Sequence, residues 1–290
     1  MIDFILKPIK RVLSTMHRIP LLDALSPSPL APVTEADKAG YLRSQGLAQQ
    51  CALEIGNLLQ PGWTEKQAAR SMEIWLRDNG VKSFFHKPFA WWGSRSRFDG
   101  IKTYKQYQAT ERRLLENEPF ILDVAPIVEG YISDIGFSGI IGQNPAFDQG
   151  IAFLETLRRD IPGLLQSLSS GGAVWKAVDE KLKNAGYDNI HQIYPMGVLG
   201  HRIYKTTPKI DASVLHFGWQ SYWELASRGI FGQLLTEDFE GKMDGLWAIE
   251  PQIGGPNWGM KFEEILFVEN GLARWLNPDP HWFIKRTNNK

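Results

Sequence analysis

The chain has 290 residues, of which 43% are hydrophobic and 22% are charged, a balance typical of a globular protein. Its 32 basic and 32 acidic side chains cancel, which argues against a long-range field that would attract nucleic acid or an anionic membrane. The single cysteine, Cys51, excludes an intrachain disulfide and favours a reducing compartment, so we expect a cytoplasmic protein. No apolar run reaches the ~18 residues that a membrane span requires.

The first 33 residues predict an amphipathic segment followed by a linker. Lys7, Lys10 and Arg11 lie on the polar side of the segment, and the prolines of residues 22–33 prevent a continuous helix. The segment has no basic region before its apolar part, so it does not resemble a secretory signal. Packing on the main domain or on a second subunit is favoured over attachment to a membrane surface, and a homodimer stays open. Residues 34–290 are predicted to form one domain.

Helix signals follow the linker. Thr34 is a predicted N-cap, with Asp37 completing a capping box, and Thr64 is the predicted N-cap of a second helix that ends at Asn79-Gly80. Residues 169–186 show a similar helical period. The first of these helices is expected to bury an apolar face that consists of Leu42, Leu47, Cys51, Ile55 and Leu58.

Residues 84–100 are dense in aromatic side chains for a connecting segment. One interpretation is the wall of a substrate pocket, formed by Trp91 and Trp92, in which Arg95 or Arg97 receives a carboxylate. The alternative is ordinary strand and core packing, with both arginines at the surface. The sequence does not decide between these interpretations.

Residues 120–135 predict a β-hairpin in which two apolar runs flank the turn-forming pair Glu129-Gly130. Asp123 and Asp134 are symmetric about a turn centred between residues 128 and 129, so we expect them to lie opposite one another on one face. Two buried carboxylates in that arrangement repel each other unless a cation lies between them. The pair therefore predicts a metal site.

A second hairpin repeats this arrangement. Glu250 and Glu263 are symmetric about the turn at Pro256-Asn257, and His201 lies between the two hairpins in the sequence. Four carboxylates and one imidazole suit a pair of divalent ions such as Mn, Fe, Co or Zn.

At these residues the chain resembles the pita-bread metallopeptidases, the family of methionine aminopeptidase, aminopeptidase P, prolidase and creatinase. The resemblance covers roughly residues 35–275. The motifs that carry it are the Asp123 and Asp134 pair, Gly200-His201, Ile249-Glu250-Pro251, Lys261-Phe262-Glu263-Glu264 and Glu269-Asn270-Gly271.

The resemblance implies an α+β pita-bread fold, in which helix-plus-hairpin repeats related by a pseudo-twofold surround a curved antiparallel sheet. It also implies a dinuclear hydrolase in which Asp134 and Glu263 bridge both ions. Asp123 would bind one ion, and His201 and Glu250 would bind the other.

The sequence departs from the family at two histidines that lie beside the ligands in peptide-cleaving members. The corresponding places fall near Gln106 and at Pro208. His86 and His216 are the candidate replacements for their role in stabilising the oxyanion, although for each taken singly packing or surface exposure is the favoured interpretation. Residues 202–245 form an aromatic-rich insertion that we expect to shape specificity or an oligomer contact.

The leading hypothesis is a metal-dependent hydrolase of amide bonds, either an aminopeptidase or an Xaa-Pro-type peptidase, that uses a hydroxide bridging two ions, with manganese among the candidates. Glu250 would carry protons beside that hydroxide. One alternative keeps the metal site and changes the substrate to a small non-peptide molecule, because both auxiliary histidines are displaced. A second alternative is a non-catalytic binding module.

Overall fold

The computed structural model describes residues 32–101, 103–194, 197–206, 213–214, 217–218 and 234–286. The predictions for the N-terminal segment, for most of the 202–245 insertion, for His216 and for Pro208 lie outside these ranges. The helices of the described ranges are α1 (Glu35–Leu58), α2 (Glu65–Asp78), α3 (Tyr104–Tyr107), α4 (Pro145–Ser167) and α5 (Gly171–Asn184), with a 3₁₀ helix at Gly93–Arg97.

The first two helices begin where the sequence predicts. Thr34 and Thr64 each accept a hydrogen bond from the backbone N–H three residues on, and the side chains of Asp37 and Gln67 close both capping boxes. The apolar face predicted for α1 is partly wrong, because Leu42 is 39% exposed and Leu58 is 59% exposed.

Small and amide side chains are buried on α1 instead. Gly40 lies against the ring of Tyr131, and the side-chain oxygen of Gln45 accepts a hydrogen bond of 2.8 Å from the backbone N–H of Ile265. The helix therefore approaches the strands closely, which hydrophobic periodicity alone does not reveal.

The strands of the largest sheet are β1 (Ser83–Trp92), β2 (Pro119–Val128), β3 (Tyr131–Ile132), β4 (Ile135–Ile141), β7 (Ser213–Val214), β8 (Phe217–Gly218) and β15 (Phe283–Arg286). Their order is β15-β4-β2-β1-β8-β7, with β3 also paired to β2. All of these pairings are antiparallel except that of β15 with β4.

Two smaller antiparallel sheets belong to the second half of the chain. Their strands are β5 (Asp188–Asn189), β6 (Gly200–Arg202), β9 (Leu234–Leu235), β10 (Gly245–Ile249), β11 (Gln252–Gly255), β12 (Trp258–Lys261), β13 (Glu264–Glu269) and β14 (Leu272–Trp275). The strand orders are β14-β13-β10-β6-β9 and β12-β11-β5.

Each half places a helix pair against its strands. The pair α1 and α2 buries a cluster with β1, β2 and β4 that includes Met72, Trp92 and Phe137. The pair α4 and α5 buries a second cluster with the strands of the smaller sheets, including Trp247 and Phe262. Helix followed by hairpin thus occurs twice, as the sequence predicts, but the second half has two helices where the sequence predicts one. No helix in the described ranges is long and apolar enough to cross a membrane.

A buried ion pair of Glu264 with Arg158 joins β13 to α4. The Glu264 carboxylate accepts two hydrogen bonds of 2.9 Å from the guanidinium of Arg158 in α4 and is 0% exposed. Arg158 also donates to the carbonyl of Asn277. Removal of either partner would leave the other buried without these hydrogen bonds.

The close approach of β6 to β10 gives the first prediction. A Cβ atom at Gly200 would lie 2.4 Å from the backbone oxygen of Ala248, and a backbone atom cannot rotate away. We expect Gly200→Ala to displace the strand that carries His201 and to lower the free energy of unfolding by about 1–3 kcal/mol, measured by urea denaturation.

Gly46→Ala is the matched control, because nothing lies within 4 Å of a Cβ there. Since alanine favours a helix interior, this change is expected to raise stability by about 0.5–1 kcal/mol. Equal stability of the two variants would contradict the steric argument.

Candidate metal centre

The five predicted ligands come from both halves of the chain and meet in one place. Three of them lie at breaks or ends of strands: Asp134 between β3 and β4, Glu250 after β10, and Glu263 between β12 and β13. Asp123 is within β2 and His201 is within β6. A bridge between Gly136 and Glu263 joins the first hairpin to the second.

The register predicted for the first hairpin is wrong by two residues. Asp123 pairs with Gly136 rather than with Asp134, because the turn is centred one residue later, between Glu129 and Gly130. Both turn residues have positive φ, 52° and 86°, as a two-residue hairpin turn requires. A shift of two residues keeps a side chain on the same face, so the two carboxylates still approach each other.

The register predicted for the second hairpin is confirmed. Gln252 pairs with Lys261 on one side of the acidic pair, and Ile249 pairs with Glu264 on the other. Glu250 and Glu263 occupy the matching positions between these two ladders.

His201 and His86 both face the carboxylates. The Nε2 atom of His201 lies 3.4 Å from Asp134 Oδ2 and 3.7 Å from Glu263 Oε1, and its ring stacks on Phe85 at 5.1 Å between centroids. The Nε2 atom of His86 lies 3.1 Å from Asp123 Oδ1 and 3.2 Å from Asp134 Oδ1. His86 is thus in the candidate site, and its catalytic role stays a prediction.

Lys261 is a member of the site that the sequence reasoning missed. Its Nζ atom lies 2.6 Å from Asp123 Oδ2, 2.7 Å from Glu263 Oε2 and 3.2 Å from Glu250 Oε2. Lys261 precedes Glu263 by two residues, and residues i and i+2 of an extended segment share a face. That spacing was the available signal.

Burial and the charges of neighbouring groups set the protonation of the site. Burial, followed by the charge of Glu263, raises the pKa of Glu250 to about 8. Burial also opposes ionisation of Asp134, but the charge of His86 and hydrogen bonds from both histidines hold the pKa of Asp134 well below its usual range. Burial lowers the pKa of Lys261, but Asp123 and Glu263 outweigh it and raise that pKa well above its usual value.

The two tryptophans predicted to bind substrate have contacts that favour the packing interpretation. Trp92 is 0% exposed and packs edge-on against Phe120 in the core, while Trp91 is buried in an aromatic cluster with Phe89 and Phe98. These tryptophans leave little surface for a substrate.

Both arginines are engaged inside the protein rather than free at the surface. The Nε atom of Arg95 lies 2.9 Å from each oxygen of the buried Glu65 carboxylate. Arg97 donates to Asp99 and Asp188. Gln106, near one of the two places where the family has a histidine, caps α3 through Thr103.

The donor set fits a divalent metal ion. Two groups of three ligands have their ligand atoms within 4.8 Å of one another, and both groups include Asp134: His86, Asp123 and Asp134, and Asp134, His201 and Glu263. Asp123 Oδ1 is buried 3.1 Å from His86 Nε2, but the geometry of this contact does not make a hydrogen bond, which is costly for a carboxylate oxygen. Oxygen and imidazole ligands suit Mn, Fe, Co or Zn.

Fold and site together define a protein of the pita-bread class with a metal-binding cluster at its centre. Metallopeptidase family M24 matches residues 39–270, and the chain belongs to this family. None of the curated proteins matches it.

Several solved structures share the fold. An X-Pro aminopeptidase from Thermotoga maritima has a TM-score of 0.65 at 15% identity, with 87% of this chain and 64% of that chain covered. The dipeptidase PepE from Mycobacterium ulcerans has a TM-score of 0.63 at 20% identity, with 89% and 62% covered. A prolidase from Pyrococcus furiosus has a TM-score of 0.61 at 17% identity, with 84% and 64% covered. The present chain thus spans less than two thirds of each of these proteins.

Asp134 belongs to both ligand groups, which gives the second prediction. We expect Asp134→Asn to weaken Mn²⁺ binding roughly 100-fold or more in isothermal titration calorimetry, because the loss of a shared charged ligand should cost at least as much as the loss of a group that only supports a ligand. Asp148→Asn removes a half-exposed carboxylate that pairs with Lys285, and it should leave the affinity unchanged. Unaltered Mn²⁺ affinity in Asp134→Asn would contradict the proposed location of the metal.

The pKa of Glu264 gives the third prediction. Burial raises it from 4.5 to about 7, against the opposing effect of Arg158. Between these values the folded state keeps a proton that the unfolded chain has lost, so stability should fall as pH rises from 4.5 to 7. We expect Glu264→Gln to show a smaller fall, measured by urea denaturation at both ends of this range with chelator present. If stability fell equally in the wild type and in Glu264→Gln, the raised pKa of Glu264 would be contradicted.

Proposed function

We propose that this protein is a metal-dependent hydrolase of amide bonds in short peptides, of the aminopeptidase or Xaa-Pro type. The observation that carries the proposal is a buried cluster in which the carboxylates come from the two hairpins and the imidazoles come from β1 and β6. Family membership supports hydrolysis, and the names of the structurally similar proteins, an X-Pro aminopeptidase, a dipeptidase and a prolidase, support small peptides as substrates.

Asp134, His201 and Glu263 would hold the metal in this reaction. When bound, a divalent ion lowers the pKa of water toward neutrality and polarises the amide carbonyl. The proposal requires at least one ion. The two ligand groups that share Asp134 support the two ions expected from the sequence. The positive charge of Lys261 lies among the same carboxylates and argues against a second ion.

Glu250 is the residue we assign to proton transfer. It is buried at the end of β10, beside the other carboxylates, and its raised pKa lies close to neutral pH. A carboxyl group of that kind can accept a proton from attacking water and deliver it to the leaving amine. His86 lies on the Asp123 side of the site, where its imidazole can donate a hydrogen bond to a substrate oxygen if it turns from the carboxylates.

The fourth prediction is cleavage of short peptides by the metal-loaded protein. Protein loaded in turn with Mn, Co, Fe or Zn should release free amino acids from a library of di- and tripeptides with and without proline at the second position, followed by mass spectrometry. Glu250→Gln should lower kcat about 10²–10⁴-fold, because general acid–base catalysis contributes that much. The control, Glu269→Gln, changes an exposed carboxylate at the end of β13 and should retain full activity.

Failure to cleave any peptide with any of the four metals would contradict the proposal. Retained metal binding in the same samples would then favour the non-peptide substrate considered from the sequence. Equal loss of activity in Glu250→Gln and Glu269→Gln would contradict only the role assigned to Glu250 and would leave the hydrolase proposal standing.

A further inference from the structure

The buried side chain of Lys261 supplies a positive charge where the carboxylates are most crowded. Lys261 is 2% exposed, and its ammonium lies within 3.2 Å of one oxygen from each of Asp123, Glu250 and Glu263. A lysine ammonium has three N–H donors, so these three acceptors match its full hydrogen-bonding capacity.

The backbone around Lys261 is arranged to hold it in this position. The hydroxyl of Ser138 donates to the Lys261 carbonyl at 2.7 Å and accepts from the Lys261 N–H at 3.0 Å. The aliphatic stem crosses Gly136, where a Cβ atom would lie only 2.4 Å from Lys261 Cε. Gly136 is also the residue that pairs with Asp123 and bridges to Glu263, so the space for the stem lies between two predicted ligands.

Glu263 and Asp123 each direct one oxygen to Lys261 and the other to a histidine. Glu263 directs Oε2 to Lys261 and Oε1 towards His201, and Asp123 directs Oδ2 to Lys261 and Oδ1 towards His86. Glu263 therefore bridges the ammonium and the His201 side of the site. An ion between Asp123 and Glu263 would occupy the space of the ammonium or lie against its positive charge.

We propose that the Lys261 ammonium takes the place of one of two metal ions, so that the chain binds a single divalent ion through Asp134, His201 and Glu263. Three protein ligands with an open fourth position are the arrangement of many mononuclear hydrolases. Asp123 then directs Oδ2 to Lys261 and Oδ1 to His86. The inference rests on the metal site of the proposed function and changes its number of ions.

The test is the number of ions bound per chain. Wild-type protein stripped with chelator and titrated with Mn²⁺ should bind one ion in calorimetry, and elemental analysis after gel filtration should give the same ratio. Electron paramagnetic resonance should show the spectrum of an isolated Mn²⁺ ion. Lys261→Met keeps most of the stem and removes the charge, so this variant should bind two ions and show a spin-coupled spectrum. Lys285→Met, which changes a part-exposed lysine paired with Asp148, is the control and should bind one.

Two Mn²⁺ ions in the wild type, with a spin-coupled spectrum, would overturn this inference and leave the hydrolase proposal intact. Absence of any bound ion would overturn both. If Lys261→Met does not fold, the wild-type ratio decides the matter. A folded Lys261→Met variant that still binds one ion with unchanged affinity would show that the ammonium does not exclude the second.

Discussion

The need to balance buried negative charge governs the centre of this protein. Asp123, Asp134, Glu250 and Glu263 are each at most 8% exposed, and isolated buried carboxylates are strongly unfavourable. Opposing groups therefore have to enter the same space. Lys261 and the two histidines do so, and a divalent ion would do so when bound. Both kinds of cation would draw on the same few carboxylates.

Strand irregularities make that convergence possible. Asp134, Glu250 and Glu263 lie where the backbone hydrogen-bonding ladders are interrupted or end. At these places the backbone is not bound by the geometry of a continuous ladder, so the side chains can turn towards a common centre. His86 reaches the site because β1 has register shifts on both sides of it in its pairing with β2. Such irregularities commonly lie beside active sites, because they redirect a side chain while the flanking strands stay paired.

Much of this arrangement could be predicted from residues close in sequence. The Pro256-Asn257 turn sets the pairing of Glu250 with Glu263, and the capping boxes set the starts of α1 and α2. Helix α4 was not predicted, although Asn144 caps it and Pro145 occupies its first turn, a recognisable start signal. The bulges beside His86 and the ion pair between Arg95 and Glu65, 30 residues apart, depend on tertiary packing and leave no local pattern.

The contrast between Glu263 and Glu264 shows how adjacent, chemically identical residues acquire different roles. Consecutive residues of an extended segment point to opposite faces, so Glu263 faces the site while Glu264 faces α4 and Arg158. Arg158 gives Glu264 a bidentate partner outside the cluster, and its role is structural. Glu263 instead shares its two oxygens between Lys261 and the His201 side, which leaves Oε1 available to a metal. The choice of partner, rather than the identity of the residue, therefore separates the structural carboxylate from the candidate ligand.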